Sequence, residues 1–154
     1  MDTLILRSPD ETFDLGAAWG REAAPGWVIG LTGELGAGKT QLVKGLAVGM
    51  GIKAKVHSPT FTLLNEYHGE RLRLFHVDLY RLETPEAVLR AGLEDYVVWP
   101  EGVTAVEWYE RFEGTGSAGG AGLARVGSGG RLRRVFFEAL SETERRISYE
   151  DTRA

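Results

Sequence analysis

An eight-residue glycine-rich stretch carries the residue types that bind phosphate. It reads Gly33-Glu34-Leu35-Gly36-Ala37-Gly38-Lys39-Thr40 and fits the pattern G-x-x-x-x-G-K-[ST], the P-loop. Its glycines let the backbone bring N–H groups close to an anion, and the N-terminus of a following helix attracts negative charge. Lys39 can reach the β- and γ-phosphates of a nucleotide, and Thr40 can place its hydroxyl on Mg²⁺. The stretch therefore predicts a site for a nucleoside polyphosphate.

The residues on either side of this loop have the patterns that a P-loop requires. Residues 27–32 form a short apolar, β-rich run, which predicts a buried strand. After the loop, apolar residues recur at helical spacing, at Leu42, Val43, Leu46 and Met50. Strand, glycine-rich turn and helix thus follow one another in the order that the motif needs. The alternative is a glycine-rich turn that binds nothing, but such a turn does not require a Gly-Lys-Thr ending.

Two carboxylates stand at the ends of apolar runs farther along the chain. Asp78 follows the run at residues 72–77, and Glu107 follows the run at residues 103–106. An acid at the end of a strand can hold Mg²⁺ or position the water that attacks a phosphate. The residues alone leave alternatives open, namely a cap or turn role for Asp78 and a surface position for Glu107. Trp108 fits the core, the usual place of an aromatic, but also an interface or the nucleotide pocket.

A hydroxyl-rich segment follows the predicted P-loop helix. It reads Ser58-Pro59-Thr60-Phe61-Thr62, and its proline biases Ser58 away from helical conformation. Nucleotide hydrolases place a switch segment at this point of the chain. The alternative is a common Ser-Pro-Thr turn without a function.

The remaining patterns predict an α/β fold. Residues 3–7 predict a strand, and Ser8 or Asp10 can cap a helix that runs to about residue 23. Further elements are expected as strands at 61–67 and 72–77 joined by a hairpin at 68–71, a helix opened by Thr84-Pro85-Glu86, and a strand at 132–139. We therefore expect a P-loop NTPase-like, three-layer α/β/α fold with a mixed, mostly parallel central sheet and an inserted antiparallel hairpin.

The domain organisation follows from length and composition. The chain has 154 residues, enough for one domain with a single core. We expect one P-loop ATPase domain over residues 1–140, with a glycine-rich loop at residues 114–130. The charged residues 141–154 predict a tail that is helical or frayed.

Charge and composition exclude several classes of function. The formal net charge of −4 argues against a protein that binds nucleic acid without a partner, because such proteins usually carry a basic surplus or a basic patch. The sequence shows only one cluster of arginines, at 131, 133 and 134. The absence of cysteine excludes disulfides and cysteine-ligated metal, and His57, His68 and His76 lack ligand spacing. No apolar run approaches 18 residues, and the N-terminus lacks the features of a signal peptide. A cytoplasmic nucleotide-binding protein without a membrane role is the simplest expectation.

Taken together, these motifs resemble the TsaE (YjeE) family, small bacterial P-loop ATPases of the tRNA N6-threonylcarbamoyladenosine pathway. The order, spacing and total length agree over about residues 8–112. The matching segments are the P-loop at 33–40, the switch segment at 58–63, His76-Val77-Asp78-Leu79-Tyr80-Arg81-Leu82, Gly92-Leu93-Glu94-Asp95-Tyr96 and Val106-Glu107-Trp108. One departure is the glycine-rich interval at 114–130, where the family usually has a short hydrophobic strand.

The resemblance implies ATP or ADP as the nucleotide and Mg²⁺ as the metal. Thr40 and Glu107 are similar to the family's Mg²⁺ ligands, and Thr60 resembles its switch threonine near the γ-phosphate. Asp78 resembles the acid needed for hydrolysis, so the catalytic set is Asp78, Lys39 and Thr60. The nucleotide contacts implied are Thr12 on the adenine or ribose side, Glu34, Leu35, Gly36, Ala37, Gly38, Lys39, Thr40, Gln41 and Trp108.

The family acts with two partners, TsaB and TsaD, which transfer threonylcarbamoyl to adenosine 37 of tRNAs that read ANN codons. By resemblance, ATP hydrolysis resets that complex between turnovers, and the chain meets tRNA only through it. The chain has no identifiable arginine finger, so intrinsic turnover should be slow.

Two alternatives remain. A small-molecule kinase would need an acceptor pocket and an arginine-bearing lid, whereas the arginines at 131–134 fall in a predicted strand. A non-catalytic nucleotide-sensing adaptor would bind nucleotide without needing hydrolysis.

Overall fold

The computed structural model of the chain describes residues 1–34, 36–57, 63–118 and 125–153. These described residues contain seven strands: β1 (Asp2–Leu6), β2 (Trp27–Thr32), β3 (Leu64–His68), β4 (Arg73–Asp78), β5 (Val103–Glu107), β6 (Arg131–Ala139) and β7 (Arg145–Arg153). The helices are α1 (Pro9–Glu22), α2 (Lys39–Gly49), α3 (Pro85–Arg90), α4 (Glu94–Val97) and α5 (Glu110–Glu113), followed by a 3₁₀ helix at Gly114–Ala118. Leu35 and the predicted switch segment at residues 58–62 lie outside the described residues.

All seven strands form one sheet with the order β1-β7-β6-β2-β5-β4-β3. The pairs β2–β6, β2–β5 and β4–β5 are parallel, whereas β1–β7, β6–β7 and β3–β4 are antiparallel. Five strands therefore run in one direction, and only β3 and β7 run against them. The expected mixed, mostly parallel sheet is confirmed, and so is the antiparallel hairpin, which is β3–β4.

Helices cover both faces of the sheet, as expected of a three-layer fold. Alternate residues of β2 serve the two faces: Ile29 packs in a core with Leu42 and Leu46 of α2, and Val28 packs in a core with Val88 and Phe112 of α3 and α5. This alternation is the pleat of a strand that is buried on both sides. Within the described residues, no helix is both long and apolar enough to cross a membrane.

Helices α1 and α2 pack backbone to backbone through glycines. A Cβ added at Gly16 would lie 2.2 Å from the Leu42 carbonyl oxygen, and one at Gly45 would lie 2.0 Å from the Phe13 carbonyl oxygen. The N-cap of α1 is Ser8, whose Oγ accepts the Glu11 N–H at 3.2 Å. The close approach fixes the first turn of α1 beside the loop that precedes α2.

The expectation of a helical or frayed C-terminal tail is wrong. Residues 145–153 form β7, which is inserted between β1 and β6. Its charges are paired across the β6–β7 ladder, with Asp151 accepting from Arg133 at 2.7 and 3.0 Å and Glu150 accepting from Arg134 at 2.6 Å. Because cross-strand pairing satisfies these charges, a polar sequence makes an ordinary strand here.

The glycine-rich interval has partly local structure. Residues 114–118 are the 3₁₀ helix, and residues 125–130 lie mainly in turns. The expected loop character thus fits the described parts of the interval, while residues 119–124 lie outside them.

Candidate active site

The predicted phosphate loop and the two predicted acids meet at the carboxyl edge of the sheet. The loop leaves β2 at Thr32 and enters α2 at Lys39, and the neighbouring parallel strands end in Asp78 and Glu107. These two acids are direct partners in the β4–β5 register. Parallel strands deliver their carboxyl ends to one edge of the sheet, which is where such folds bind ligands.

The loop has the backbone geometry for which its glycines are needed. Gly36 has φ +80° and Gly38, the N-cap of α2, has φ +104°, both in the left-handed region. The first turn of α2 contains no acidic residue. The positive end of the helix therefore faces the loop without a competing carboxylate from its own first turn.

Lys39 is held against the loop and is only 4% exposed. Its Nζ donates to the carbonyl oxygens of Gly33 at 2.6 Å and Glu34 at 2.9 Å, and lies 4.3 Å from the centre of the Trp108 ring. Burial lowers the pKa of Lys39, and the nearby Glu107, Glu110 and Asp78 carboxylates oppose this shift. Two of the three ammonium donors are thus used inside the loop.

Thr40 and Glu107, the predicted metal ligands, are in contact. The Thr40 Oγ1 lies 2.9 Å from both carboxylate oxygens of Glu107. Glu107 Oε2 also lies 2.5 Å from His76 Nε2, and His76 is fully buried. A hydroxyl and a carboxylate are oxygen ligands of the kind that Mg²⁺ prefers, and Mg²⁺ commonly takes one or two protein groups together with phosphates. Among the described residues no cluster of three or more His, Cys, Asp or Glu side chains could hold a metal ion, so an all-protein cage is absent there.

Asp78 lies beside this pair with its carboxylate half-buried. Its Oδ1 accepts the Tyr80 N–H at 2.9 Å. Burial raises the pKa of Asp78, and the nearby Glu107 raises it further, whereas the Tyr80 hydrogen bond, His76 and Lys39 lower it. A carboxylate of this kind is suited to accept a proton or to orient water.

One cleft of about 380 Å³ contains most of the predicted residues. It is lined by Gly36, Ala37, Gly38, Lys39, Thr40, Gln41, Asp78, Tyr80, Glu107 and Trp108. A smaller cavity of about 140 Å³ shares Gly36, Gly38 and Gln41 with it and extends away from the acids to Pro9, Thr12, Thr143 and Arg145. The two cavities therefore adjoin along the glycine-rich loop.

The structure separates two predicted contacts from the phosphate cleft. Thr12 is buried and lines the smaller cavity, the side expected for adenine or ribose. Glu34 lines another cavity, with Phe137, and its carbonyl oxygen accepts a hydrogen bond from Lys39, which lines the cleft. The predicted contacts Leu35 and Thr60 lie outside the described residues.

Several site residues were not found from the sequence. His76 precedes Asp78 by two positions on β4, so both side chains point to the same face, and this period-two spacing was an available signal. Arg145 donates to the loop carbonyls of Gly36 and Ala37, a contact across 109 and 108 positions that no local pattern reveals. Glu110 has a buried Oε1 without a partner in the described structure, and burial raises the pKa of its carboxyl group.

An aromatic wall closes one side of the cleft. Trp108 has φ +60°, an unusual conformation for a non-glycine residue, and its ring centre lies 5.2 Å from that of Tyr80. The Arg111 guanidinium lies 5.2 Å from the Trp108 ring centre and donates to the carbonyls of Leu79, Tyr80 and Leu82. Tyr80 is 45% exposed, so the wall faces solvent as well as the cleft.

Comparisons with known proteins agree on one family. A family model described as "Threonylcarbamoyl adenosine biosynthesis protein TsaE" matches residues 6–124. Proteins named tRNA threonylcarbamoyladenosine biosynthesis protein TsaE are similar to the chain. That of Nostoc sp. is 47% identical over 72% of this chain and 70% of its own. That of Mycobacterium bovis is 34% identical over 98% of this chain and 83% of its own.

A solved structure extends the likeness to the fold. Bacillus subtilis YdiB superposes with a TM-score of 0.70 and 29% identity, covering 96% of this chain and 83% of that one. The likeness therefore covers nearly the whole sheet-and-helix arrangement of this chain. On its family model and its relatives, the chain belongs to the TsaE family, whose members take part in tRNA threonylcarbamoyladenosine biosynthesis.

Proposed function

We propose that this chain is a Mg²⁺-dependent ATPase that supports the threonylcarbamoyladenosine modification of tRNA. The observation that carries the proposal is the contact between Thr40 and Glu107 at 2.9 Å, in the cleft that also holds Lys39 and Asp78. A P-loop hydroxyl and a strand-end acid placed together are the protein's share of a magnesium–nucleotide site.

The loop and its lysine bind and orient the phosphates. Backbone N–H groups near the N-terminus of α2 receive phosphate oxygens, and Lys39 neutralises charge at the β- and γ-phosphates. Thr40 and Glu107 would hold Mg²⁺, which when bound supplies charge neutralisation on the phosphate oxygens. His76 holds Glu107 from the buried side, so that the carboxylate keeps one orientation.

Asp78 provides the group that acts on water. It borders the same cleft as Lys39, and burial makes it a stronger base than an ordinary aspartate. It would orient the attacking water, or take its proton, while the γ-phosphoryl group passes to the water oxygen and its bond to the bridging oxygen breaks to release ADP. Positioning and charge stabilisation account for most of the rate in such reactions.

The partners in this proposal are TsaB and TsaD, and tRNA through them. Arg111 is the arginine beside the aromatic wall, and its Nη1 already serves three backbone carbonyls, so it is a poor arginine finger. Slow intrinsic hydrolysis, completed by a partner, fits this arrangement. Hydrolysis would reset the transfer complex between turnovers instead of making the modification.

Two variants and one control test the assignment. Lys39→Ala should abolish ADP binding in calorimetry, because the ammonium would neutralise phosphate charge in the bound state. Asp78→Ala should bind ADP within about three-fold of wild type while releasing phosphate from ATP at least about 100-fold more slowly. Lys44→Ala, on the same helix but outside the cleft, is the control and should match wild type in both assays.

A reconstituted modification assay tests the pathway role. With TsaB, TsaD, tRNA and a threonylcarbamoyl donor, repeated turnover should need wild-type chain and ATP, and Asp78→Ala should stop after the first turnover. Full phosphate release by either Lys39→Ala or Asp78→Ala would contradict the ATPase assignment. Undiminished turnover with Asp78→Ala would contradict the reset role.

A further inference from the structure

Arg145, the first residue of β7, reaches across the molecule to the phosphate loop. Its Nε lies 3.1 Å from the Ala37 carbonyl oxygen, and its Nη2 lies 3.1 Å from the Gly36 carbonyl oxygen. Both are charge-assisted bonds from a planar guanidinium to two successive peptide groups. A residue of the C-terminal hairpin therefore holds the part of the loop where glycines make the backbone most free.

The other end of the guanidinium is fixed by the turn between β6 and β7. Its Nη1 donates to the carbonyl oxygens of Ser141 at 2.7 Å and Glu144 at 2.9 Å. Ser141 in turn accepts the Glu144 N–H on its Oγ at 3.0 Å. Arg145 is thus a bridge between an ordered turn and the loop, with all three guanidinium nitrogens engaged.

The bridge determines where the loop's peptide groups point. In a trans peptide group the N–H points opposite to the C=O. Because the Ala37 carbonyl is hydrogen-bonded to Arg145, the Gly38 N–H of the same peptide group points away from Arg145. The Ala37 N–H donates to the Glu34 carbonyl at 3.1 Å, and Lys39 takes the carbonyls of Gly33 and Glu34. The carbonyl oxygens of Gly33, Glu34, Gly36 and Ala37 each accept a hydrogen bond from Lys39, Arg145 or a loop N–H. The loop backbone is therefore ordered before a nucleotide binds, so that binding does not have to offset the conformational entropy lost by its glycines.

We propose that Arg145 is a positioning residue that preorganises loop residues 36–38 for nucleotide phosphates. The proposal rests on the proposed function, since it assumes that this loop receives a nucleotide. Arg145 acts through the loop carbonyls and needs no contact with the phosphates themselves. The forked shape of the Arg145 guanidinium is essential, because a lysine ammonium in its place could not bond to the Gly36 and Ala37 carbonyls and to the β6–β7 turn at the same time.

Three variants separate fork geometry from charge. Arg145→Lys keeps the positive charge but loses the fork, and Arg145→Ala loses both. Arg146→Ala is the matched control, since Arg146 is the next residue on β7, is exposed and pairs with Glu138 at 2.7 Å. The readouts are the ADP dissociation constant from calorimetry and amide exchange of Gly36, Ala37 and Gly38 in ligand-free protein, followed by NMR.

We expect Arg145→Lys and Arg145→Ala to bind ADP about ten-fold more weakly than wild type, the loss expected from one or two hydrogen bonds. Amide exchange in the loop should rise by a similar factor in both, while Arg146→Ala should match wild type. If Arg145→Ala does not fold, Arg145→Lys decides the question alone. Wild-type affinity and wild-type loop exchange in Arg145→Lys would overturn the proposal.

The two readouts keep this proposal apart from the proposed function. If wild-type protein does not bind ADP, the proposed function fails and the phosphate part of the inference fails with it. Loop exchange in ligand-free protein still shows whether Arg145 orders residues 36–38. If wild type binds ADP and the Arg145 variants bind it equally well, the inference alone fails.

Discussion

At the scale of single residues, the cleft contains ionisable side chains whose charged forms are disfavoured by burial. Burial lowers the pKa of Lys39 and raises the pKa of Asp78, so each shift opposes the charged form. Groups with shifts of this kind, gathered in one cleft, are typical of functional sites. We expect the unliganded protein to be less stable than its core would allow.

Asp78 gives this expectation a test through pH. Its pKa is higher in the folded state than in the unfolded chain, so the native state binds the proton more tightly. Stability contributed by the protonated form is therefore lost as pH rises from the ordinary value of 3.8 through the raised one. Asp78→Asn should gain stability over wild type as pH rises from about 3.5 to 7. Urea unfolding of ligand-free protein at several pH values measures this difference.

The control for this prediction is Asp14→Asn, on the exposed side of α1. It removes one carboxylate at an exposed position, and the gain in stability expected of Asp78→Asn should exceed any change seen in this control. An Asp78→Asn variant that loses stability relative to wild type with rising pH would show that the carboxylate is favourably placed, contrary to its burial.

At the scale of elements, the pairing of α1 with α2 positions the loop. In a helix interior, alanine is normally more stabilising than glycine by about 1 kcal/mol. A Cβ at residue 45 would instead lie 2.0 Å from the Phe13 carbonyl oxygen, where only backbone movement can make room. Gly45→Ala should therefore lower the free energy of unfolding by about 2 kcal/mol.

Urea denaturation measures the Gly45→Ala effect, with Gly114→Ala as the comparison. Gly114 has φ −61° and open space where a Cβ would stand, so its replacement should change stability by less than about 0.5 kcal/mol. A Gly45→Ala protein as stable as wild type would mean that the two helices can separate at no cost.

The elements also show what the sequence could predict. Strand β2, the loop and α2 follow from local patterns, because apolar runs, glycines and helical spacing all act within about twenty residues. The β3–β4 hairpin and the two strand-end acids were predictable for the same reason. Strand β7 was not, since its stabilising ion pairs join Arg133 and Arg134 to residues 18 and 16 positions away. The His76–Glu107 contact spans 31 positions and likewise depends on the sheet order.

At the scale of the whole molecule, the two ends of the chain meet at the phosphate loop. Helix α1 brings Thr12 to the smaller cavity, and the β6–β7 hairpin brings Thr143 and Arg145 to the same place. The family model ends at residue 124, whereas the fold shared with Bacillus subtilis YdiB covers 96% of this chain. The C-terminal hairpin is therefore part of the site's architecture, although the motifs that identify the family lie before it.

In the function proposed above, this cleft binds a nucleotide whose magnesium is held by Thr40 and Glu107. Calorimetry of ADP binding, with and without Mg²⁺, on wild type and Glu107→Gln tests it most directly, since glutamine keeps the size of the side chain and an oxygen for Thr40. Mg²⁺ should strengthen ADP binding to wild type at least about ten-fold and leave Glu107→Gln nearly unchanged. Equal strengthening of both proteins by Mg²⁺, or no ADP binding by wild type, would contradict the claim.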